Sequence, residues 1–324
     1  MLAKRLTSFS SKPRGYDIRY PGARKVKVAA IVGVKDEVEL IQPCLERLWA
    51  VGVGPILVLD NNSSDGTIDI VDRLSRHSAA PLTRTSFSPD FDQNLQVGGE
   101  VIDPFVRQHS PDWLLFIDAD EFMVCVNDDL PGALANVTGP VLSIERYNVP
   151  LSSDPFVPTA GTEASDFLGI RLITGREDLS RSLLDEPLGK RWIMNRIMPK
   201  LICRPDRVSR YGLGWHSIAD SRGQPIPSIA AKGLLLVHLP LTTNERFVRK
   251  VNNAREFFRH CGEHYPGDAA WHWKRWVDLA DRGLLGAEFA AQRMGEAEMA
   301  HLADVGAIER ADAVLQKSMR TQSG

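Results

Sequence analysis

The chain has 324 residues, of which 43% are hydrophobic and 25% are charged, and this composition is ordinary for a soluble globular protein. The length suffices for one large domain or for one domain with an extension. A net charge of −2 gives no general attraction for nucleic acid or for an anionic membrane. No apolar stretch approaches about 18 residues, so we expect no transmembrane helix, and the N-terminus lacks the apolar core of a secretory signal.

The cysteines and the N-terminal segment bear on the cellular compartment. Cys44, Cys125, Cys203 and Cys261 are dispersed without a CxxC pair, so reduced thiols are expected rather than disulfides or zinc. The basic segment 1–24 is expected to be a solvated tail, and contact with anionic lipid is the alternative. Together these features predict a cytoplasmic protein, with peripheral membrane association as a second option.

The first part of the chain alternates predicted strands and helices. The segment 26–34 is β-branched and apolar, which favours a central strand, and a helical apolar pattern follows it. Pro43 fits the first turn of that helix better than its interior, so the helix is expected to be broken or to start late. Residues 56–59 form a second strand, which runs into the polar turn 60–67 and another helix. This order predicts βαβα units and a parallel sheet.

The segment 113–122, WLLFIDADEF, is the most informative stretch. Its apolar residues predict a buried strand, and Asp118, Asp120 and Glu121 follow at once. Because side chains alternate along a strand, we expect Asp118 and Asp120 on the same side. Nearby carboxylates repel each other unless a cation lies between them, and Mg²⁺ is often shared between carboxylates and substrate phosphates. The pattern therefore predicts a metal–diphosphate site, and a solvated acidic turn is the alternative.

Repulsion between the two carboxylates has a consequence for stability. If it dominates without metal, Asp120→Ala should leave the melting temperature unchanged or slightly raise it. The acidic groups near Glu37, Asp60 and Asp118 all follow predicted strands, and ligands of parallel sheets bind at the carboxyl ends of the strands. We therefore expect these residues to form one site.

The three segments 34–37, 59–67 and 113–122 together resemble the family 2 glycosyltransferases with the GT-A fold, and the DADEF form resembles a subgroup of that family. The resemblance weakens after Val126 and returns in the segments 198–205 and 236–250. It implies an α/β fold with a mostly parallel central sheet flanked by helices and followed by a helical C-terminal extension.

The resemblance also implies a domain organisation. A GT-A domain would span 25–240, with a nucleotide-binding half at 25–126 and an acceptor half at 127–240. The region 241–324 would be helical. Within it, the segment 283–317 is Ala-rich and amphipathic, which predicts either a C-terminal helical cap or a contact in a homo-oligomer.

The implied activity is metal-dependent transfer of a sugar, with inversion, from a nucleotide-diphosphate sugar to an acceptor hydroxyl. A UDP-sugar is the favoured donor, and the acceptor is a saccharide or another hydroxyl compound. The implied nucleotide-sugar-binding residues are Val34, Glu37, Asp60, Asn61, Asp118, Lys200 and Lys250. The implied ligands of Mn²⁺ or Mg²⁺ are Asp118, Asp120 and His238.

Two roles stay open between several residues. His238 and His216 both compete for the late metal ligand, because imidazole can complete the shell of an ion such as Mn²⁺. An inverting transferase needs a carboxylate as general base on the acceptor hydroxyl. Asp166 is the leading candidate because it precedes an apolar stretch, and the other candidates are Asp154, Asp185 and Glu186.

Three tryptophans, Trp271, Trp273 and Trp276, could stack against an acceptor sugar, although core packing is the commoner role of tryptophan. Two alternatives to a glycosyltransferase are also open. A nucleotidyltransferase would need a Gly-rich phosphate loop near the first strand, and 33–37 is not one. A domain that binds sugar nucleotides without turnover is the other, and the intact Asp118 and Asp120 pair argues against it.

Overall fold

The computed structural model describes residues 25–87, 93–261 and 270–320. The expected basic tail, 1–24, lies outside the described residues. The strands, in chain order, are β1 (Val28–Val34), β2 (Ile56–Asp60), β3 (Leu82–Ser86), β4 (Trp113–Asp118), β5 (Glu121–Cys125), β6 (Val141–Ile144), β7 (Arg146–Asn148), β8 (Arg171–Ile173), β9 (Lys200–Cys203), β10 (Arg210–Tyr211), β11 (Ile218–Ala219), β12 (Ile229–Ala230), β13 (Leu234–His238) and β14 (Ile308–Arg310).

The α-helices are α1 (Ile41–Ala50), α2 (Thr67–Ser75), α3 (Asp103–His109), α4 (Leu130–Leu134), α5 (Ala164–Gly169), α6 (Ser180–Asp185), α7 (Asn244–Cys261), α8 (Trp271–Asp281), α9 (Leu285–Ala291), α10 (Glu296–Asp304) and α11 (Ala311–Arg320). A segment with π-helical hydrogen bonding, Gln93–Ile102, precedes α3. As expected, α1 starts late and holds Pro43 in its first turn. No helix in the described part of the chain combines the length and apolar composition that a membrane span needs.

The central sheet has seven strands in the order β12-β6-β9-β4-β1-β2-β3. Strands β3, β2, β1 and β4 are parallel to one another, and β9 runs antiparallel between β4 and β6. A second sheet, β5-β13-β7, continues from the turn that follows β4. The predicted architecture is confirmed: a mostly parallel central sheet flanked by helices, followed by a helical C-terminal region.

Both faces of the central sheet are buried, which explains why its strands are almost continuously apolar. Along β1, Ala30 and Val32 belong to a core shared with α1, whereas Ala29 and Ile31 face the opposite core, which contains Phe105 of α3. This alternation is the period of two that a strand imposes on its side chains.

A third core lies in the C-terminal region. It joins Trp276 and Leu279 of α8 and Phe289 to Leu151 and Ile173 from the middle of the chain. Trp276 is 2% exposed. Of the three tryptophans that could have formed a sugar platform, this one therefore packs in the core.

Candidate functional site

The strand register brings the predicted acidic segments together. Val34 at the end of β1 pairs with Asp60 at the end of β2, and Gly33 pairs with Asp118 at the end of β4. Asp60 in turn pairs with Ser86 of β3. The carboxyl ends of four parallel strands thus form one edge, which is where such sheets bind ligands.

The segment from Asp118 to Glu121 differs from the expected geometry. Strand β4 ends at Asp118, Ala119 and Asp120 form a turn, and β5 begins at Glu121. Since Asp120 lies in a turn, the alternation of a strand does not apply to it. Asp118 has a side chain that is 42% exposed, whereas Asp120 is buried, and the two carboxylates belong to different ion clusters.

Arg246 on α7 is the centre of the first cluster, which we call the Asp120 cluster (Glu37, Asp120, His238, Arg246 and Lys250). Its guanidinium is buried and its N–H groups have five acceptors. Nε and Nη2 donate to Glu37 at 2.7 and 2.9 Å, and Nη2 also donates to Asp120 at 3.0 Å. Nη1 donates to the backbone carbonyls of residues 239 and 240. Arg246 therefore ties the loop after β1 to the turn after β4 and to the end of β13.

Lys250 completes the charge balance of the Asp120 cluster. It follows Arg246 by four residues on α7, so both side chains lie on one face of the helix. Its Nζ donates to Asp120 Oδ2 at 2.5 Å and to Glu37 Oε1 at 2.9 Å. Two carboxylates thus meet two cations, and the Lys250 side chain, 14% exposed, is the most accessible member.

The charge state of Asp120 follows from this cluster. Burial alone would raise the pKa of its carboxyl, but Lys250 and Arg246 outweigh burial and hold that pKa well below its usual range. Asp120 is therefore ionised at neutral pH. It carries the negative charge that either a lysine or a metal ion can bind.

His238 lies at the end of β13, directly beside the turn. In the antiparallel pairing of β13 with β5, His238 lies opposite Glu121. Its Nε2 lies 3.7 Å from Asp120 Oδ2. Burial lowers the pKa of His238 well below its ordinary value, so the ring is neutral at physiological pH. Nδ1 contacts Asn148 Oδ1 at 2.7 Å. Because Oδ1 only accepts, Nδ1 carries the proton and Nε2 presents a lone pair toward Asp120.

A second cluster, the Asp118 cluster, contains Asp118, Glu121, Arg146 and Lys200. Lys200 Nζ donates to Asp118 Oδ2 at 2.7 Å and to the Gly214 carbonyl at 3.1 Å. Glu121, fully buried, accepts from Arg146 and from the Asp118 backbone N–H. The two carboxylates and two cations of the Asp118 cluster also have formal charges that cancel. This balance offsets the repulsion between Asp118 and Asp120 that the sequence predicts.

His216 lies near Lys200 and Asp118 of the Asp118 cluster. Its Nδ1 donates to the Pro199 carbonyl at 2.8 Å. Burial, aided by the charges of Lys200 and Arg146, lowers the pKa of His216 to about 4. The two histidines that the sequence left in competition thus occupy different positions, and His238 is the one that lies against Asp120.

Asp60 and Asn61 shape the loop after β2. Asp60 is buried; its Oδ1 accepts from the Ser63 N–H at 2.9 Å, and its Oδ2 accepts from the Ser86 hydroxyl at 3.0 Å. The Asn61 N–H donates to the Val34 carbonyl at 2.9 Å. Both carboxylate oxygens of Asp60 therefore have partners within the protein, which is the arrangement of a structural turn. Contact of Asp60 and Asn61 with a base stays a prediction.

Asp166 has a different local role. It is exposed at the start of α5, where its Oδ2 accepts from the Glu163 N–H at 3.1 Å in a capping box. Among the described residues, no hydrogen bond or ion pair joins it to Asp118, Asp120 or His238. Its assignment as general base stays a prediction without support from a contact.

Three residues of the two clusters were not among the predicted site residues: Arg246, Arg146 and Glu121. The partners of Arg246 are far away in the sequence, since Arg246 lies 209 residues from Glu37 and 126 from Asp120, whereas Glu121 has partners 3 and 25 residues away. Two signals were available: Glu121 belongs to the acidic run that follows β4, and the spacing of Arg246 and Lys250 predicts two cations on one helical face.

The possible metal donors of the Asp120 cluster suit an ion that binds together with a substrate. Among residues 25–87, 93–261 and 270–320, no group of three or more His, Cys, Asp or Glu side chains is placed to hold a metal ion. The pair of Asp120 and His238 Nε2 offers one oxygen and one nitrogen donor. This set fits an ion such as Mn²⁺ only if substrate oxygens or water supply the other positions.

No protein-family model matches the chain, and no curated protein sequence matches it. Among solved structures, residues 1–349 of S. aureus TarS in complex with UDP have 16% identity, cover 82% of this chain and 72% of their own, and give a TM-score of 0.36. Glucosyl-3-phosphoglycerate synthase from Mycobacterium tuberculosis, in complex with Mn²⁺, UDP and glucosyl-3-phosphoglycerate, has 14% identity, with 56% and 57% coverage and a TM-score of 0.28. Likenesses this weak assign neither a family nor an activity.

The expectation for Asp120→Ala is reversed by the ion pairs. Removing this carboxylate takes one partner from each of two cations, Arg246 and Lys250, in a buried setting. We expect the metal-free variant to lose about 1–3 kcal/mol of stability, the usual cost of leaving a buried group without its partner. Urea unfolding in EDTA measures this loss in the free energy of unfolding. A variant as stable as wild type would indicate that repulsion between Asp118 and Asp120 outweighs the ion pairs.

Arg246 should contribute more to stability than its helical neighbour Arg249. Arg246→Met leaves Glu37 and Asp120 with Lys250 alone, and we expect a loss of roughly 3–5 kcal/mol. The matched control is Arg249→Met on the same helix, whose pair with Glu39 is partly exposed and should contribute about 1 kcal/mol or less. Similar unfolding midpoints for the two variants would contradict the central role of Arg246.

Acid should destabilise the protein through its buried neutral histidines. Burial lowers the pKa of His238, of His216 to about 4 and of His272 to about 3. The unfolded chain takes up these protons below about pH 6.5 while the folded chain does not, so stability falls as pH decreases from there. Each histidine contributes at most about 1.4 kcal/mol per pH unit.

Urea unfolding in EDTA between pH 7.5 and 4.5 tests this pH dependence. His272→Gln should reduce the slope of stability against pH, since it removes one of the histidines whose pKa is lowered in the folded protein. An unchanged slope in that variant would show that His272 is protonated alike in both states.

Proposed function

We propose that the chain is a glycosyltransferase that uses a nucleotide-diphosphate sugar, most simply a UDP-sugar, and transfers the sugar to a hydroxyl acceptor. The observation that carries the proposal is the Asp120 cluster at the carboxyl ends of the parallel strands. The resemblance of three sequence segments to family 2 glycosyltransferases supports the same conclusion. Residues of the first and third segments and of α7 meet in this cluster although they are distant in sequence.

The cluster has the chemistry that a departing diphosphate requires. Negative charge grows on the diphosphate as the glycosidic bond breaks, and preorganised cations stabilise that charge. Lys250 is partly accessible and its ammonium is held by Glu37 and Asp120. We propose that it turns toward the β-phosphate when the donor binds, while Arg246 stays in place because its donors are all bound within the protein.

The exposed carboxylate of Asp118 would meet the donor on the other side of the turn. Lys200 holds one of its oxygens, and Gly33 leaves space at the other. A Cβ atom at position 33 would lie 3.2 Å from Asp118 Oδ1. Asp118 is therefore proposed to accept a hydrogen bond from the ribose or to share the metal.

Asp120 and His238 Nε2 are proposed to hold Mn²⁺ or Mg²⁺, which would supply further charge stabilisation to the leaving diphosphate. Within the Asp120 cluster, Glu37 and Asp120 are already balanced by Arg246 and Lys250. A divalent cation alone would leave an excess of positive charge, and the diphosphate would remove it. Metal and nucleotide should therefore bind together.

This coupling is a measurable prediction. In calorimetry, Mn²⁺ alone should bind weakly, and UDP should bind more tightly with Mn²⁺ than without it. Lys250→Met should weaken UDP binding by about 1–3 kcal/mol, the value of a charged hydrogen bond, and should affect uridine much less.

The matched control is Lys190→Met. Lys190 is exposed and pairs with Glu177, outside both clusters. Equal UDP affinities for the Lys250 and Lys190 variants would contradict the proposed phosphate site. Parallel titrations with GDP and ADP identify the base.

Product analysis separates the remaining functions. Slow hydrolysis of the donor by a glycosyltransferase releases UDP, and a nucleotidyltransferase acting in reverse on a UDP-sugar consumes pyrophosphate and releases UTP. Binding of the UDP-sugar with neither product would indicate a binding domain without turnover.

A further inference from the structure

We propose that Asn148 and Gln292 are positioning residues that fix the tautomer of His238 through a buried chain of hydrogen bonds that starts in the C-terminal helices. This hydrogen-bond chain runs from Glu288 on α9 through Gln292 and the backbone of Ile193 to Asn148 and His238. The structural part of this proposal is independent of the proposed function, and only its catalytic consequence rests on that function.

The chain begins at a carboxylate with a full set of donors. Glu288 is fully buried and pairs with both Nη atoms of Arg275 at 2.7 and 2.8 Å. Its Oε1 also accepts from Trp276 Nε1 at 2.9 Å and from Gln292 Nε2 at 3.0 Å. Because a carboxylate only accepts, the amide nitrogen of Gln292 must face it.

The orientation of Gln292 sets the next link. Its Oε1 faces away from Glu288 and accepts from the Ile193 N–H at 2.8 Å. The Ile193 carbonyl accepts from Asn148 Nδ2 at 2.8 Å. Both backbone groups of Ile193 are thus occupied, one by a side chain from the end of α9 and one by a side chain from β7.

The orientation of the Asn148 amide determines which nitrogen of the His238 imidazole carries the proton. Since its Nδ2 is used on Ile193, its Oδ1 must face His238 Nδ1, which therefore carries the proton. The strand register places the two residues directly opposite each other on β7 and β13. The Glu288 carboxylate thus determines which group donates and which accepts at every step of the hydrogen-bond chain. The chain ends at His238, where Nε2 has a lone pair that faces Asp120.

Burial makes the chain rigid and selective. Gln292 is 0% exposed and Asn148 is 2% exposed, so water does not replace a lost partner. The opposite tautomer would leave Asn148 Oδ1 facing an unprotonated nitrogen, which is two acceptors without a hydrogen. An unpaired buried polar group is costly, so the chain selects the Nδ1–H form.

The consequence concerns how the C-terminal region serves the site. Partners that orient a ligating histidine commonly change metal affinity or activity by about 10–100-fold when they are removed. If the proposed function holds, Asn148→Leu should lower the turnover of a UDP-sugar donor by about tenfold or more. The helices after residue 240 would then supply both the phosphate cation Lys250 and the orientation of His238.

The direct test is the ¹H–¹⁵N long-range spectrum of the imidazoles in full-length protein with ¹⁵N-labelled histidine. His238→Gln identifies the signal of His238. Wild-type protein should show the Nδ1–H tautomer for His238, and this measurement needs no variant that might misfold. An Nε2–H tautomer in the wild type would overturn the proposal.

Variants then test each link. Asn148→Leu should abolish the preference for Nδ1–H, and Asn148→Asp should restore it, because the carboxylate keeps the acceptor. Gln292→Leu should weaken the preference. A His238 signal that stays unchanged in folded Asn148→Leu would also overturn the proposal.

Asn195→Leu is the matched control. Asn195 is similarly buried; its side chain accepts from the Leu179 N–H and donates to the Arg196 carbonyl, each at 2.9 Å. Within the described residues, that side chain has no hydrogen bond to Glu288, Gln292, Ile193, Asn148 or His238. It should lower the melting temperature without changing the His238 signal. A similar change of that signal in this control would show that the effect is general destabilisation.

The spectra test the positioning of His238 and the turnover assay tests the proposed function, so the two proposals can fail independently. If the tautomer follows the variants but no UDP-sugar is turned over, the positioning chain stands and the proposed function falls. If turnover occurs but the His238 tautomer does not respond to Asn148, the proposed function stands and the positioning chain falls.

Discussion

The site depends on one buried guanidinium. Arg246 joins the loop after β1, the turn after β4 and the end of β13, through Glu37, Asp120 and two backbone carbonyls. These segments come from distant parts of the chain and carry acidic groups that would repel one another. Arginine suits this position because its planar group presents five donors at fixed angles and stays charged when buried. Lys250, one helical turn later, joins the same two carboxylates and is the proposed phosphate ligand.

Charge balance unifies the two clusters. Each contains two carboxylates and two cations; Asp118 is the most exposed member of its cluster at 42%, and Lys250 is the most exposed member of the other at 14%. A neutral, mostly buried site keeps its geometry without a ligand, so the electrostatic environment is in place before the donor binds. The neutral His238 adds a nitrogen donor to this arrangement without adding charge.

Much of the fold was predictable because its signals are local. The apolar strands, the late start of α1 and the turn after β2 follow from periodicity, from Pro43 and from the polar run that begins at Asp60. The placement of the acidic groups at the strand ends also followed, since parallel strands share one carboxyl edge. What failed was the local geometry of Asp120, because a turn of two residues replaced the strand that the alternation argument assumed.

The partners within the site were not predictable, for a different reason. Arg246 and its carboxylates, or Asn148 and His238, are brought together by folding across separations of 90 residues and more. No local pattern encodes such pairs, and each residue alone resembles an ordinary surface or core residue. For Asp166 the structure adds a capping-box hydrogen bond that its sequence context did not indicate, and its assignment as general base stays a prediction.

A crystal structure with UDP and Mn²⁺ tests the central claim most directly. The diphosphate is expected at the strand ends, with Lys250 in hydrogen-bond contact with it and the metal bound by Asp120 and His238 Nε2. Arg246 should keep its contacts with Glu37 and Asp120. A nucleotide bound away from the Asp120 cluster, or a diphosphate at the strand ends that leaves Lys250 on Asp120, would contradict the account.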